Sequence, residues 1–161
     1  MKLLRLVLLA AVAPLCLYQG CDDASNEPLP NSGTTLCINL YQMCIEPILH
    51  NPTSTGFSCS QGGCHFPPGQ GGFVLFNPPT PAELTMNFMG VEARTLNNNL
   101  LLSKATGNSH GGGKQLSVGD LCYNTIAEWR TIFAPTDGSA CTATISTCGL
   151  INAATVSACG L

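Results

Sequence analysis

The chain has 161 residues, of which 9% are charged and 6% aromatic, with a formal net charge of −3 and ten cysteines. An acidic balance with so few cations excludes electrostatic docking to nucleic acid, and ten cysteines argue against a reducing cytosol. The length allows one ordinary domain with its own core beside a short leader.

Lys2 and Arg5 form a positive start, and the apolar run from Leu3 to Leu17 is too short to span a bilayer comfortably. The pattern predicts a secretory signal peptide over residues 1–20. Its end, Leu17-Tyr18-Gln19-Gly20-Cys21, resembles a bacterial lipobox and predicts cleavage before Cys21 and lipidation of that thiol. An ordinary signal peptide is the alternative, because Tyr18 and Gln19 are bulkier than the lipobox pattern. Several acyl chains on one cysteine anchor a protein stably where a single chain does not. Residues 22–35 are polar and rich in Pro and Ser, which predicts a flexible tether between lipid and domain. The expected location is a bacterial cell envelope, periplasmic or on the outer surface.

Thr35 is a candidate cap for a helix from about Leu36 to His50, with Leu40, Cys44, Ile45 and Ile48 at helical spacing. Cys37 and Cys44 lie seven apart, on one face of that helix. Asn51-Pro52 ends it, and His50 at its last turn is expected to cap it.

The chemistry-bearing stretch comes next: Cys59-Ser60-Gln61-Gly62-Gly63-Cys64-His65. In an exported chain, two cysteines with a histidine directly after the second point to covalent attachment of c-type haem. The thiols add to its vinyl groups, and the histidine becomes the proximal iron ligand. Four residues separate these cysteines where the usual motif has two. A zinc site is poorly served by adjacent Cys64 and His65. A plain Cys59–Cys64 disulfide beside a surface histidine is the serious alternative. With Cys59 and Cys64 given to haem, Cys37, Cys44, Cys122, Cys141, Cys148 and Cys159 remain for three disulfides of undetermined pairing.

Residues 66–81 are rich in Gly and Pro, and Phe73-Val74-Leu75-Phe76 within them reads as a strand or as a loop against a cofactor. A short helix is expected to begin at Ala82 and run towards Asn87. Residues 98–105 are apolar, and 106–113 carry turn chemistry. Asp120 is a good N-cap for a helix reaching about Phe133, with Cys122, Ile126, Trp129 and Phe133 as its stripe and Pro135 as its stop. Over 136–161, Thr144 to Leu150 is echoed by Thr155 to Leu161, and two copies are too few for a solenoid. A disulfide-pinned tail is the expectation there.

Gly107-Asn108-Ser109-His110-Gly111 matches a nucleophile elbow, and His110-Gly111-Gly112-Gly113 matches a lipase oxyanion loop. The two patterns overlap where a hydrolase keeps them apart, and no histidine follows His110 to complete a triad. A small esterase built on Ser109 is therefore set aside in favour of a non-enzymatic role.

Five elements occur in order: Cys59 to His65; Gly71-Gly72-Phe73-Val74-Leu75; Leu100 to Gly107; His110 to Lys114; and Gly119-Asp120 through Tyr123 and Ile126 to Trp129. Together, over about residues 36–134, they resemble the planctomycete-type cytochrome c domain. The resemblance implies an all-α, small cytochrome c-like helical domain over 36–135, with long Gly/Pro-rich loops, one haem c between the first and last helices, and a Cys-rich tail. Read from the residues, Trp129 and Ile126 are expected to face the N-terminal helix, and that contact offers a tie from Cys37 or Cys44 to Cys122. For the iron, His65 is the proximal ligand. His110 is carried over as the candidate distal ligand, with Met86 and Met89 as rivals because Met/His ligation is common. Taken alone, Trp129 reads as a core residue and the two methionines as ordinary packing. The expected function is an exported, lipid-anchored monohaem cytochrome passing single electrons to a redox partner protein. The alternative is a haem-free, disulfide-stapled surface lipoprotein acting in binding or adhesion.

Overall fold

The computed structural model describes residues 35–137 and 139–161. The expected signal peptide, Cys21 and nearly all of the tether lie outside the described residues. No helix among the described residues is long and apolar enough to cross a membrane.

The first helix starts at Ile38, not near Leu36, as α1 (Ile38–Leu40). Leu36 is drawn instead into an antiparallel bridge with Phe133, its amide donates to the Glu92 carboxylate, and Ala134 N–H donates to the Thr35 carbonyl at 2.7 Å. The helix then widens into a π-helical turn, Tyr41–Ile45, before α2 (Glu46–His50). Pro47 is the physical reason. It offers no N–H, and its ring crowds the carbonyl four residues back; a turn in which Glu46 N–H reaches the Tyr41 carbonyl makes room for it.

Helix α3 (Pro81–Leu96) is far longer than the short helix expected, because Phe88, Val91 and Thr95 continue a buried face beyond Asn87. Its start is fixed by a capping box, in which Thr80 and Glu83 satisfy each other's backbone, and by Pro81 in the first turn. Asn98 and Asn99 take left-handed backbone (φ 46° and 59°), reversing the chain so that α4 (Leu100–Ala105) packs back on α3.

Asp120 caps α5 (Leu121–Trp129), accepting from Tyr123 N–H at 2.7 Å. The helix stops at Trp129, short of the expected Phe133, as the strand-like pairing of Leu36 with Phe133 takes over the chain. Cys122, Ile126 and Trp129 are buried, whereas Phe133 is exposed and leaves the stripe. Tyr41, Phe88 and Trp129 form the centre of the core, with ring centres 5.5 Å (Tyr41–Phe88) and 5.7 Å (Tyr41–Trp129) apart. The indole N–H of Trp129 donates to the Cys37 carbonyl at 3.0 Å, so the tryptophan spends its polar atom on the N-terminal helix entry.

The tail, through a 3₁₀ turn (Cys148–Leu150) and α6 (Ala153–Val156), crosses both of these helices and is sewn to them. Three disulfides join Cys37 to Cys141, Cys44 to Cys148, and Cys122 to Cys159. The tie from Cys37 or Cys44 to Cys122 that the sequence offered is therefore corrected. Trp129 holds the Cys37 end, and Cys122 lies seven residues, about 10 Å, away along the α5 axis, beyond the reach of Cys37, while Cys44 is taken by Cys148 and Cys122 by Cys159. The N-terminal helix meets α5 through aromatic packing, and the tail takes all three sulfurs. Among the described residues the fold is helical, and β-structure amounts to two isolated bridges.

Candidate functional site

The loop from Cys59 to His65 is a run of tight turns held at both ends. Ser60 N–H donates to the Leu49 carbonyl at the close of α2, His65 N–H to the Cys59 carbonyl, and Leu75 N–H to the His65 carbonyl at 2.7 Å. Ser60 is buried, and its hydroxyl receives Asn77 Nδ2 at 3.0 Å. Phe73-Val74-Leu75-Phe76, left open between strand and loop, is loop: Phe73 makes one isolated bridge to Gln70 and packs its ring on His65 with centres 4.6 Å apart.

His110 stands on the turn-rich loop after α4. Left-handed backbone at Gly107, Ser109 and Gly113 folds that loop tightly, and Gln115 pins it by donating to the Gly112 carbonyl at 2.8 Å. A Cβ on Gly107 would come within 3.2 Å of the Lys114 side chain, so the close approach as well as the φ of +95° requires glycine.

These two loops bring His65 and His110 together across one cleft, their ring centres 6.0 Å apart and their planes within 15°. His65 Nδ1 lies 3.2 Å from the Phe73 carbonyl, and His110 Nδ1 lies 2.9 Å from the Gly113 carbonyl. A carbonyl only accepts, so Nδ1 donates in each ring, which leaves Nε2 as the nitrogen that carries a lone pair when a ring is neutral. Burial holds His65 below the ordinary histidine range, which favours that neutral, ligating form.

The cleft, about 690 Å³ including the part open to solvent, is walled by Leu49, Phe73, Leu100, Leu101 and Ala105. Cys59 lines it too, while Cys64 sits one residue before His65 on the same loop and is not among its walls. Both cysteines are thiols, outside the three disulfides. Burial, followed by the neighbouring Cys64, pushes the Cys59 thiol up to about 12.

The donor set fits a bis-imidazole iron. Two rings sharing one first-row metal through one nitrogen each, at about 2 Å per bond, stand with their centres about 6 Å apart. Hydrogen bonds from both Nδ1 atoms to carbonyls supply the outer support that ligating histidines use. Met86 and Met89 lie exposed on α3, and neither lines the cleft. The Ser109 hydroxyl makes no hydrogen bond to a histidine among the described residues, and His110 is engaged with Gly113.

His50 does not cap its helix. Its Nε2 lies 2.7 Å from Glu46 Oε1, which also receives Asn87 Nδ2 at 2.9 Å, making a buried polar cluster that the sequence did not single out. Arg94 is a second omission: it lines the cleft beside Lys104, and no motif marks it. Lys104 carried a signal in the Leu100–Gly107 element.

No family model matches the chain, and no curated protein and no solved structure matches it either.

Proposed function

We propose that the chain is a monohaem c-type cytochrome that carries single electrons, with the cytochrome c-like character confined to the domain over 36–135. The observation that carries this reading is the His65–His110 pair. The two rings line one cleft with their centres 6.0 Å apart, and each Nδ1 is tethered to a backbone carbonyl, which leaves Nε2 as the nitrogen each ring can offer to a metal. Haem, when bound, supplies a one-electron iron couple. The chain's own residues do the rest. His65 and His110 each offer Nε2 to the iron, and the apolar walls keep water from it. Cys59 and Cys64 would hold the group through thioether bonds, each S–H adding across a vinyl C=C with the hydrogen going to the adjacent carbon and no net oxidation. Cys21 lipidation, a cell-envelope location and a redox partner protein belong to the same proposal, resting on the leader pattern.

The test is co-expression with a c-type maturation system. The expected product is coloured and gains the mass of one haem that survives denaturation, and His65→Ala and Cys64→Ala abolish or cripple that gain. A colourless protein in which Cys59 and Cys64 have joined as a disulfide overturns the reading and favours the haem-free surface lipoprotein.

A further inference from the structure

Arg94 sits near the end of α3 with its guanidinium carbon 4.3 Å from the Phe73 ring centre, on the ring that also packs against His65. One of its nitrogens, Nη1, donates to the Gly90 carbonyl at 3.1 Å, a bond to its own helix that uses one of five N–H groups. The side chain is half-buried and lines the apolar cleft, and burial pulls the guanidinium down from its ordinary range. No carboxylate of the described residues pairs with it. A partly desolvated guanidinium is costly without an anion, and its planar fork matches a carboxylate. Only four cations follow the expected leader (Arg94, Lys104, Lys114 and Arg130), and two of them, Arg94 and Lys104, face this one cleft of an acidic chain.

The structure assigns, we infer, a carboxylate-binding subsite to Arg94, its ligand being a carboxylate side arm of the tetrapyrrole held between His65 and His110. This rests on the haem reading above. Phe73 then has two tasks at once: its ring packs against His65 and its face stations the guanidinium. The other titratable groups facing the cleft are Cys59, His65, Lys104 and His110. In the loaded protein attachment consumes Cys59 and ligation occupies both histidines, leaving Lys104 as the remaining charge.

The experiment compares Arg94→Gln, Arg94→Lys and Arg130→Gln in the matured, haem-bearing protein. Arg130 is exposed and away from the cleft, so its substitution makes the same change in net charge without touching the subsite. Loss of a cation near the iron favours the more positive oxidised form over the reduced one, so Arg94→Gln is expected to lower the midpoint potential more than Arg130→Gln does. A carboxylate deprived of its guanidinium also holds its proton to higher pH. The potential of Arg94→Gln should therefore fall with rising pH over a range where the wild type is flat, and Arg94→Lys should restore most of both properties. If Arg94→Gln matches Arg130→Gln in potential and in pH profile, the subsite is overturned while the haem reading stands. Should Arg94→Gln fail to mature, Arg94→Lys decides: near-wild-type loading and potential support the subsite, and equal failure overturns it. A wild type that takes up no haem overturns both, and mass spectrometry distinguishes that case at once.

Discussion

Gly90 of α3 and Phe73 of the long loop are in contact because Gly90 has no side chain: a Cβ there would lie 3.3 Å from Phe73 Cε2. Glycine in a helix interior ordinarily costs about 1 kcal/mol relative to alanine. Here that cost is accepted so that Phe73 can lie against the helix and support His65. Gly90→Ala is therefore expected to gain less than about 1 kcal/mol, because the Phe73 ring must shift by a few tenths of an ångström. The His65 ring resonances should move in NMR spectra. A full propensity gain with unmoved His65 resonances would contradict the contact.

The tail acts through its cystines. Cys37–Cys141 and Cys44–Cys148 each span 104 residues, long loops whose closure strongly restricts the unfolded chain. Replacing both Cys37 and Cys141 by serine is expected to cost about 2–5 kcal/mol in denaturant unfolding. Peptide mapping without reduction should recover the three pairings described above; a Cys122 peptide linked to Cys37 or Cys44 would refute them.

Cys59 should be slow towards alkylating reagents in the haem-free protein. With its thiol pushed up to about 12, against 9.0 for an ordinary thiol, it exposes roughly a thousandfold less thiolate at mildly alkaline pH. Iodoacetamide labelling followed by mass spectrometry is expected to modify Cys59 far more slowly in the native protein than after unfolding. Equal rates in the two states would sink this account of the loop.

Glu46 sets an acid limit on stability. Burial alone would raise its carboxyl, but hydrogen bonds led by His50 outweigh burial and hold it below the ordinary value. A carboxylate lowered in the folded state contributes stability above its unfolded value of about 4.5, lost as the pH falls through the folded value. Unfolding free energy should therefore drop as the medium is acidified below that point. Glu46→Gln should start about 1–3 kcal/mol lower at neutral pH, because bonds to a charged acceptor are lost, and should fall less steeply in acid.

Ligand exchange tests the distal position. In the haem-bearing protein, Met86→Ala and Met89→Ala should leave the visible spectrum unchanged, since both side chains are exposed outside the cleft. His110→Met should raise the midpoint potential or give mixed-spin iron, because a thioether donates less to oxidised iron than an imidazole does. Loss of a far-red sulfur–iron band on mutating either methionine would displace His110.

Much of the local structure was legible because it depends on neighbours in sequence. Asp120 announces α5 through its side chain, and Thr80 with Pro81 marks the start of α3. The adjacency of Cys59, Cys64 and His65, on which the haem proposal draws, was likewise visible in the sequence. The length of α3 was less legible, since Met86, Met89 and Gly90 blur its apolar stripe, and its burial comes from Phe88 and Val91 meeting other elements.

What the sequence determined by itself was thus the helical class, the helix starts where a cap or proline sits, and the residue types available to the site. The tertiary structure alone decided which of them meet. Nothing local in residues 59–65 or 107–113 sets a 6.0 Å gap between His65 and His110. That gap follows from Phe73 wedged against Gly90 on one side and the Gln115-pinned loop on the other. The same holds for Arg94, whose proximity to the cleft exists only once α3 has run past Asn87. It holds too for the disulfides, since six cysteines admit many pairings and only the path of the tail across two helices chooses one. Side-chain chemistry is written residue by residue, whereas distances between loops are set by packing, which is a property of the whole chain.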